Sequence, residues 1–339
     1  MPFLRSFLKK NIIIIVLIAL VYGWFFATHL TKHENSVQIL GANTNISLFE
    51  QPDTGRTPIL DAINNAHQEV LVEVYILSDK QIIEALEDAK ARGITVDVLL
   101  EEHPFGGGNL NNKTKPELES KGISVKWTSS SFTLTHEKAI VIDDAEAWIL
   151  NQNLTASSFT KNREYDVVDT NPEDVTQVRN IFIDDWDRKS FTPPTTTHLI
   201  VSPLTSRAGL TTLINSATKT IDIEVEVIDD NQIASLLSSK AKNVEVRLIV
   251  PTFSQISTNS KVVKELKHAG ALVKTLSSPY IHAKLILIDD QKAYVGSVNL
   301  STQSMDENRE LGIMLSQNDS IQTLNSTFES DWNNAKEIN

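Results

Sequence analysis

The chain has 339 residues, with 31 Lys+Arg against 43 Asp+Glu and a formal net charge of −12. That length has room for about two domains, and the acidity argues against a sequence-independent nucleic-acid binder, which needs a basic surface to neutralise phosphates. There is no cysteine, which excludes disulfides, thiolate zinc sites and cysteine nucleophiles.

Residues 12–27 read IIIIVLIALVYGWFFA, an apolar run without charge. Extended through Leu30 it reaches about nineteen residues, close to the roughly twenty that span a bilayer as a helix. Lys9 and Lys10 precede it, which predicts a cytoplasmic amino terminus. Residues 1–30 are therefore expected to be a single-pass membrane anchor with the remainder outside the cytoplasm. A cleaved signal, giving a secreted protein, is the alternative, but Phe25-Phe26-Ala27 fits the small-residue cleavage pattern poorly.

Thr57-Pro58 reads as a cap followed by proline at the first helical position, with Leu60, Ile63 and Ala66 giving a helical face. Residues 69–77 (EVLVEVYIL) are rich in β-branched types and predict a strand. Ser78 and Gln81 suggest a capping box. The helix they would open carries Ile82, Ile83, Leu86 and Ala89 on one side, and Gly93 ends it. Residues 94–100 then run apolar, as a buried strand does. Strand, helix and strand in this order predict an α/β sheet.

The pattern recurs. His136-Glu137-Lys138 matches His282-Ala283-Lys284, Asp143 matches Asp289, and Asn153 matches Asn299, all at an offset of 146. Arg163-Glu164 with Arg309-Glu310, and Phe182, Asp185 and Trp186 with Phe328, Asp331 and Trp332, keep the same offset. One offset over fifty residues marks two copies of one unit. The first repeat is placed at 45–190 and the second at 198–339, with the Pro/Thr-rich 190–197 between them. The fold class is α/β: two similar halves forming a pseudo-two-fold unit, preceded by one transmembrane helix.

The motifs read HEKAIVIDDAEAWILNQN (136–153) and HAKLILIDDQKAYVGSVN (282–299). His and Lys two apart on a strand share a face. The apolar residues that follow form a buried strand, Asp143-Asp144 and Asp289-Asp290 are turn residues, and a second strand returns Asn153 or Asn299 towards the His and Lys. Such a cluster suits a phosphodiester. Lys138 and Lys284 are point charges for non-bridging oxygens, and Asn153, Asn299 and Ser297 are donors to them. One His attacks phosphorus while the other protonates the leaving oxygen.

This arrangement resembles the phospholipase D superfamily, whose signature is His-x-Lys-x4-Asp-x6-Gly-Ser/Thr-x-Asn. His282, Lys284, Asp289, Gly296, Ser297 and Asn299 match it in full. The first copy keeps His136, Lys138, Asp143 and Asn153 but has Leu150 and Asn151 at the Gly-Ser positions, where Leu150 loses backbone freedom. The resemblance implies His136, Lys138, Asp143, His282, Lys284 and Asp289 as catalytic residues at one composite site. It also implies Glu164 and Glu310 as carboxylates that orient the motif histidines. It further implies a phosphohistidine intermediate without metal or cofactor, with hydrolysis or transfer of a phosphatidyl group, and it leans to His136 as nucleophile and His282 as acid.

The expected partners are a phospholipid and its membrane. Nucleic acid is disfavoured by charge, although Lys113, Lys115, Lys121 and Lys126 leave room for a nuclease. A catalytically inactive binding protein is the bland alternative. Asp143 and Asp289 also have a plain reading as turn residues. Gly106-Gly107-Gly108 reads equally as a loop over the site or a connector, and the remaining histidines have no partner pattern.

Overall fold

The computed structural model describes residues 38–39, 45–194 and 196–338. The expected anchor and the orientation of the amino terminus lie outside the described residues. Among the described residues no helix is long and apolar enough to cross a membrane.

The first half runs β1 (Ile46–Gln51), α1 (Thr57–Asn64), β2 (Glu69–Val74), α2 (Lys80–Ala91), β3 (Thr95–Leu100), α3 (Leu110–Ser120) and β4 (Ser124–Trp127). It continues through β5 (Lys138–Ile142), β6 (Glu146–Ile149), α4 (Ala156–Thr160), β7 (Asn162–Asp169) and α5 (Pro172–Trp186). The second half repeats this as β8 (Leu199–Ser202), α6 (Ser206–Asn215), β9 (Thr220–Val225), α7 (Asn231–Lys240), β10 (Glu245–Pro251), α8 (Ser260–Ala269) and β11 (Leu272–Leu276). After β12 (Tyr280–Ile281) come β13 (Lys284–Ile288), β14 (Lys292–Gly296), α9 (Thr302–Asp306), β15 (Glu310–Leu315) and α10 (Asn318–Asn334).

The two sheets share one strand order. The first is β1-β7-β6-β5-β2-β3-β4 and the second is β8-β15-β14-β13-β9-β10-β11, which a short strand at Lys336–Glu337 extends. β2, β3 and β4 are mutually parallel, as are β9, β10 and β11, and the other pairings within this order are antiparallel. Crossover helices cover the parallel strands, so β5 and β13 are buried on both faces and read as unbroken apolar runs.

Three apolar clusters result. One lies on the outer side of each sheet under its helices. The third joins the inner faces of both sheets through Val175, Val178 and Phe182 of α5 and Ile321, Leu324 and Phe328 of α10. Trp186 and Trp332 pack against its edge, stacked on Phe182 and Phe328.

The chain also crosses between halves. β12, immediately before His282, pairs with Asn162 and Arg163 of β7. Its counterpart is a bridge from Thr135, immediately before His136, to Arg309. Buried ion pairs follow the same exchange: Arg163 grips Asp331 and Arg309 grips Asp185.

Two local expectations need correcting. The cap of α2 is Asp79, whose carboxylate accepts from the Gln81 and Ile82 amides, so Ser78 does not cap it. A charged acceptor one residue later serves the same orphan N–H groups. Thr57 is already helical, with Arg56 at the cap position and no side-chain bond there.

Candidate active site

Each histidine sits at the entrance to a buried strand, held by the opposite half. His136 Nδ1 lies 2.8 Å from Glu310 Oε2, and His282 Nδ1 lies 2.7 Å from Glu164 Oε2. Both glutamates are fully buried. Asn308 donates to Glu310 Oε1 at 3.1 Å and Asn162 donates to Glu164 Oε1 at 2.9 Å, so each carboxylate is fixed at both oxygens. With Nδ1 committed, Nε2 is the nitrogen left for chemistry in each ring.

The lysines stand beside them. Lys138 donates to the His136 carbonyl at 2.5 Å, and Lys284 donates to the His282 carbonyl at 2.6 Å. Burial pushes the Lys138 ammonium down to about 7; the Glu310 charge opposes this and the Lys284 charge adds to it. Burial likewise lowers His136 to about 4, against the raising effect of Glu310. His136 and Lys138 thus feel charges from the other half, as one composite site requires.

Beside the lysines the halves differ at a pair of equivalent positions. Val74 pairs with Lys138 and Val225 with Lys284, and the next residues are Tyr75 and Glu226. Tyr75 packs edge-on to His136 with ring centres 4.7 Å apart, and Lys138 Nζ lies 5.3 Å from its ring centre. Glu226 instead brings Oε2 to 3.1 Å from Lys284 Nζ and 3.5 Å from His282 Nε2, while Tyr280 donates to its Oε1 at 2.8 Å. Burial opposes ionisation of Glu226, but the His282 and Lys284 charges and the Tyr280 hydroxyl hold its carboxyl well below the usual range.

Other sequence-derived residues fall elsewhere. Asp143 and Asp289 end β5 and β13, roughly 16 Å along the strand from Lys138 and Lys284 at about 3.3 Å per residue. Both adopt positive φ, 54° and 53°. Asp143 accepts from the His67, Gln68 and Glu69 amides, and Asp289 from the Thr218, Lys219 and Thr220 amides. Their catalytic assignment is replaced by a structural one: they tie the hairpin turn to the loop before β2 or β9.

The Gly-Ser difference has a spatial cause. Gly296 does not adopt positive φ, so backbone freedom is not what it supplies. A Cβ there would meet Gly312 Cα at 2.3 Å, the Leu311 carbonyl at 2.6 Å and the Tyr294 hydroxyl at 2.8 Å. In the first copy Trp148 replaces Tyr294 and Asp166 replaces Gly312, and Leu150 fills the space. Asn151 donates to the Gly296 carbonyl at 2.6 Å, joining the two motifs, while the Ser297 hydroxyl bonds the Leu311 backbone. Ser297 and Asn151 are therefore occupied with backbone groups. Asn299 Oδ1 accepts from the Val227 amide, which directs its NH2 the other way; Asn153 Oδ1 is buried and makes no hydrogen bond.

Beside His136 lies a buried acidic group. Oxygens of Glu73, Glu137 and Asp185 come within 4.8 Å of one another. Arg309 neutralises Asp185. Burial pushes Glu137 up to about 8 despite Arg309, with Asp185 reinforcing the rise, and Glu73 rises for the same reasons.

Sequence reasoning missed Tyr75, Tyr280 and Glu226. For Tyr75 and Glu226 a signal was present in the unlike residues at equivalent places of 69–77 (EVLVEVYIL) and 220–228 (TIDIEVEVI), where Leu71 against Asp222 is a second mismatch; Tyr280 had none. His198, read as ordinary, is buried with Nδ1 2.7 Å from Asp174 Oδ2.

This is a duplicated α/β protein in which two histidine–lysine pairs face one another and each takes its glutamate from the opposite half. The chain belongs to the phospholipase D superfamily: the family model described as "Cardiolipin synthase, PLD-like domain" matches residues 59–186 and 210–332. Among curated relatives, cardiolipin synthase 1 of Bacillus anthracis is 21% identical over 346 residues, covering 87% of this chain and 68% of that protein. Cardiolipin synthase 1 of Staphylococcus aureus (strain COL) is 24% identical, covering 83% and 66%. The chain thus spans about two thirds of their length. Among solved structures, phosphatidylserine synthase of Haemophilus influenzae Rd KW20 shares the fold with a TM-score of 0.67 at 13% identity, covering 92% of this chain and 91% of that one. Polyphosphate kinase of Porphyromonas gingivalis gives 0.70 at 14%, covering 87% and 48%.

Proposed function

We propose that the protein is a phospholipase D-type enzyme that moves the phosphatidyl group of a phospholipid to an alcohol or to water through a phosphohistidine. The carrying observation is the pair of glutamate-clamped histidines, Nδ1 held at 2.8 and 2.7 Å, with a lysine beside each. Transfer to a second lipid alcohol is the form favoured by the cardiolipin synthases among its relatives.

In this reading His136 Nε2 attacks phosphorus and the P–O bond to the head-group alcohol breaks. His282 Nε2 gives its proton to the departing oxygen. The incoming alcohol or water then attacks the phosphohistidine, the P–N bond breaks, and His282 takes the proton back. His136, lowered to about 4 by burial, is neutral at ordinary pH, as a nucleophile must be. The lysines stabilise charge developing on the non-bridging oxygens, a contribution typically worth about 3–4 kcal/mol per well-placed group. The repeats at 45–190 and 198–339 supply one set each, and an anchor within 1–30 would hold the site beside its lipid.

A nuclease reading gains no support from the lysines. Lys115 pairs with Glu119, Lys121 pairs with Glu87, and Lys126 lies 4.1 Å from the Trp186 ring centre, so three of the four are already engaged. The test is incubation of the full chain in mixed micelles with phosphatidylglycerol, with chelator present. A diphosphatidyl product and free glycerol are expected. Neither product nor released head group from any common phospholipid would refute the lipid assignment.

A further inference from the structure

We infer that Glu226 is the positioning residue that makes this near-symmetric site asymmetric, holding a second ring proton on His282 and so reserving it for the acid role. The inference rests on the proposed phosphohistidine chemistry and deepens it. His282 faces three charged groups: Glu164 on Nδ1 at 2.7 Å, Glu226 near Nε2 at 3.5 Å, and Lys284 Nζ at 3.4 Å from Nε2. His136 faces Glu310 on Nδ1 and the nearby charges of Lys138 and Lys284, with a tyrosine in place of the second carboxylate.

Charge balance decides between the two rings. Around His136 one carboxylate, Glu310, stands against Lys138 and the nearby Lys284, so nothing there calls for a further positive charge on the ring. Around His282 two carboxylates, Glu164 and Glu226, stand against Lys284 alone. Buried charges persist only when paired, and an imidazolium at His282 completes the pairing. The position of Glu226 is not accidental to the fold: its backbone N–H donates to the Ala283 carbonyl as that of Tyr75 donates to the Glu137 carbonyl. The two residues occupy the same place in the two halves and differ only in what they bring there. Glu226 touches no reacting atom in this reading; it acts through His282 and Lys284.

The proton also follows a closed path. It leaves His282 Nε2 with the departing alcohol and returns from the acceptor hydroxyl, and Glu226 favours its return because an uncompensated second carboxylate would otherwise remain. The test uses the full chain in detergent with both histidine ring nitrogens isotopically labelled, resonances being assigned through His136→Gln and His282→Gln. At pH 7 the wild type should show two protonated ring nitrogens at His282 and one at His136; a singly protonated His282 overturns the inference without needing any Glu226 variant. In Glu226→Gln the doubly protonated form of His282 should become the minority species.

Turnover supplies the independent arm. Phosphatidyl esters of p-nitrophenol need no proton on the leaving oxygen, whereas those of an alkyl alcohol do. Glu226→Gln should lower the ratio of alkyl to nitrophenyl turnover at least about thirtyfold, a part of the roughly 10²–10⁴-fold that general acid catalysis supplies. Equal losses on the two esters would mean a merely structural role. A wild type that turns over neither ester would remove the proposed function, while the NMR result would still judge Glu226.

Discussion

Replacing Glu310 by glutamine should disable a histidine in the other half of the chain. Glu310 is fully buried, with Oε2 2.8 Å from His136 Nδ1 and Oε1 accepting from Asn308 at 3.1 Å. An amide of the same shape must keep its oxygen towards Asn308, because two N–H donors cannot face each other. Its NH2 is then turned to His136 Nδ1, which must become an acceptor. The ring proton moves to Nε2, the atom that has to attack phosphorus. Keeping the productive tautomer would instead leave two buried donors opposed, at a cost of about 1–3 kcal/mol for each unsatisfied group. The same carboxylate-to-amide change behind a serine-protease histidine lowers kcat by about 10⁴. A loss of 10²–10⁴ in kcat, roughly 3–5 kcal/mol, is therefore expected for Glu310→Gln, with KM little changed. The assay is head-group release from mixed micelles by the full chain, with thermal unfolding to show that the fold persists. A folded Glu310→Gln protein retaining more than about a tenth of wild-type kcat would refute the tautomer argument.

Four further outcomes follow from the geometry. Gly296→Ala places a methyl 2.3 Å from Gly312 Cα, and thermal unfolding should show a loss of about 1–3 kcal/mol or more. Asp289→Asn keeps a residue tolerant of φ 53° but removes the charge that accepts three backbone N–H bonds; denaturant titration should show about 1–3 kcal/mol lost, with kcat per folded molecule within about threefold of wild type. Glu137, raised to about 8, binds a proton in the folded chain that the unfolded chain releases near 4.5, so stability should fall as pH rises between those values. The slope is at most about 1.4 kcal/mol per pH unit for one such proton, and Glu137→Gln should flatten the dependence. Because His136 is lowered to about 4, kcat/KM should show no loss from His136 protonation until pH approaches 4–5, as a pH–rate profile would reveal.

Much of this was open to reading in the residues. The constant 146-residue offset exposed the duplication, and the apolar runs after each His-x-Lys announced strands buried on both faces. The hairpin aspartates were visible as turn residues, yet the family signature lent them a catalytic role that roughly 16 Å of strand denies. Glu164 and Glu310 were recognised as histidine partners, but nothing in a one-dimensional repeat says which copy's histidine each one serves. That choice depends on β12 and Thr135 crossing to the opposite half, which is tertiary information. Leu150 showed the same limit: its fit depends on Tyr294 or Trp148 two residues earlier in the chain and on Gly312 or Asp166 at the equivalent place in the following strand, not on glycine's own torsions. Tyr75 lay within a stretch read as a strand for its β-branched residues, so its own chemistry carried no weight.

The exchange of glutamates between halves has a bearing on ancestry. A single half could complete such a site only by meeting an identical copy of itself, as a homodimer. Every substitution in that homodimer would be made twice, so a glutamate at one rim of the site would face a glutamate at the other. Joining the copies in one polypeptide lifts that constraint. The tyrosine at 75 and the glutamate at 226 are a difference that two identical copies could not hold.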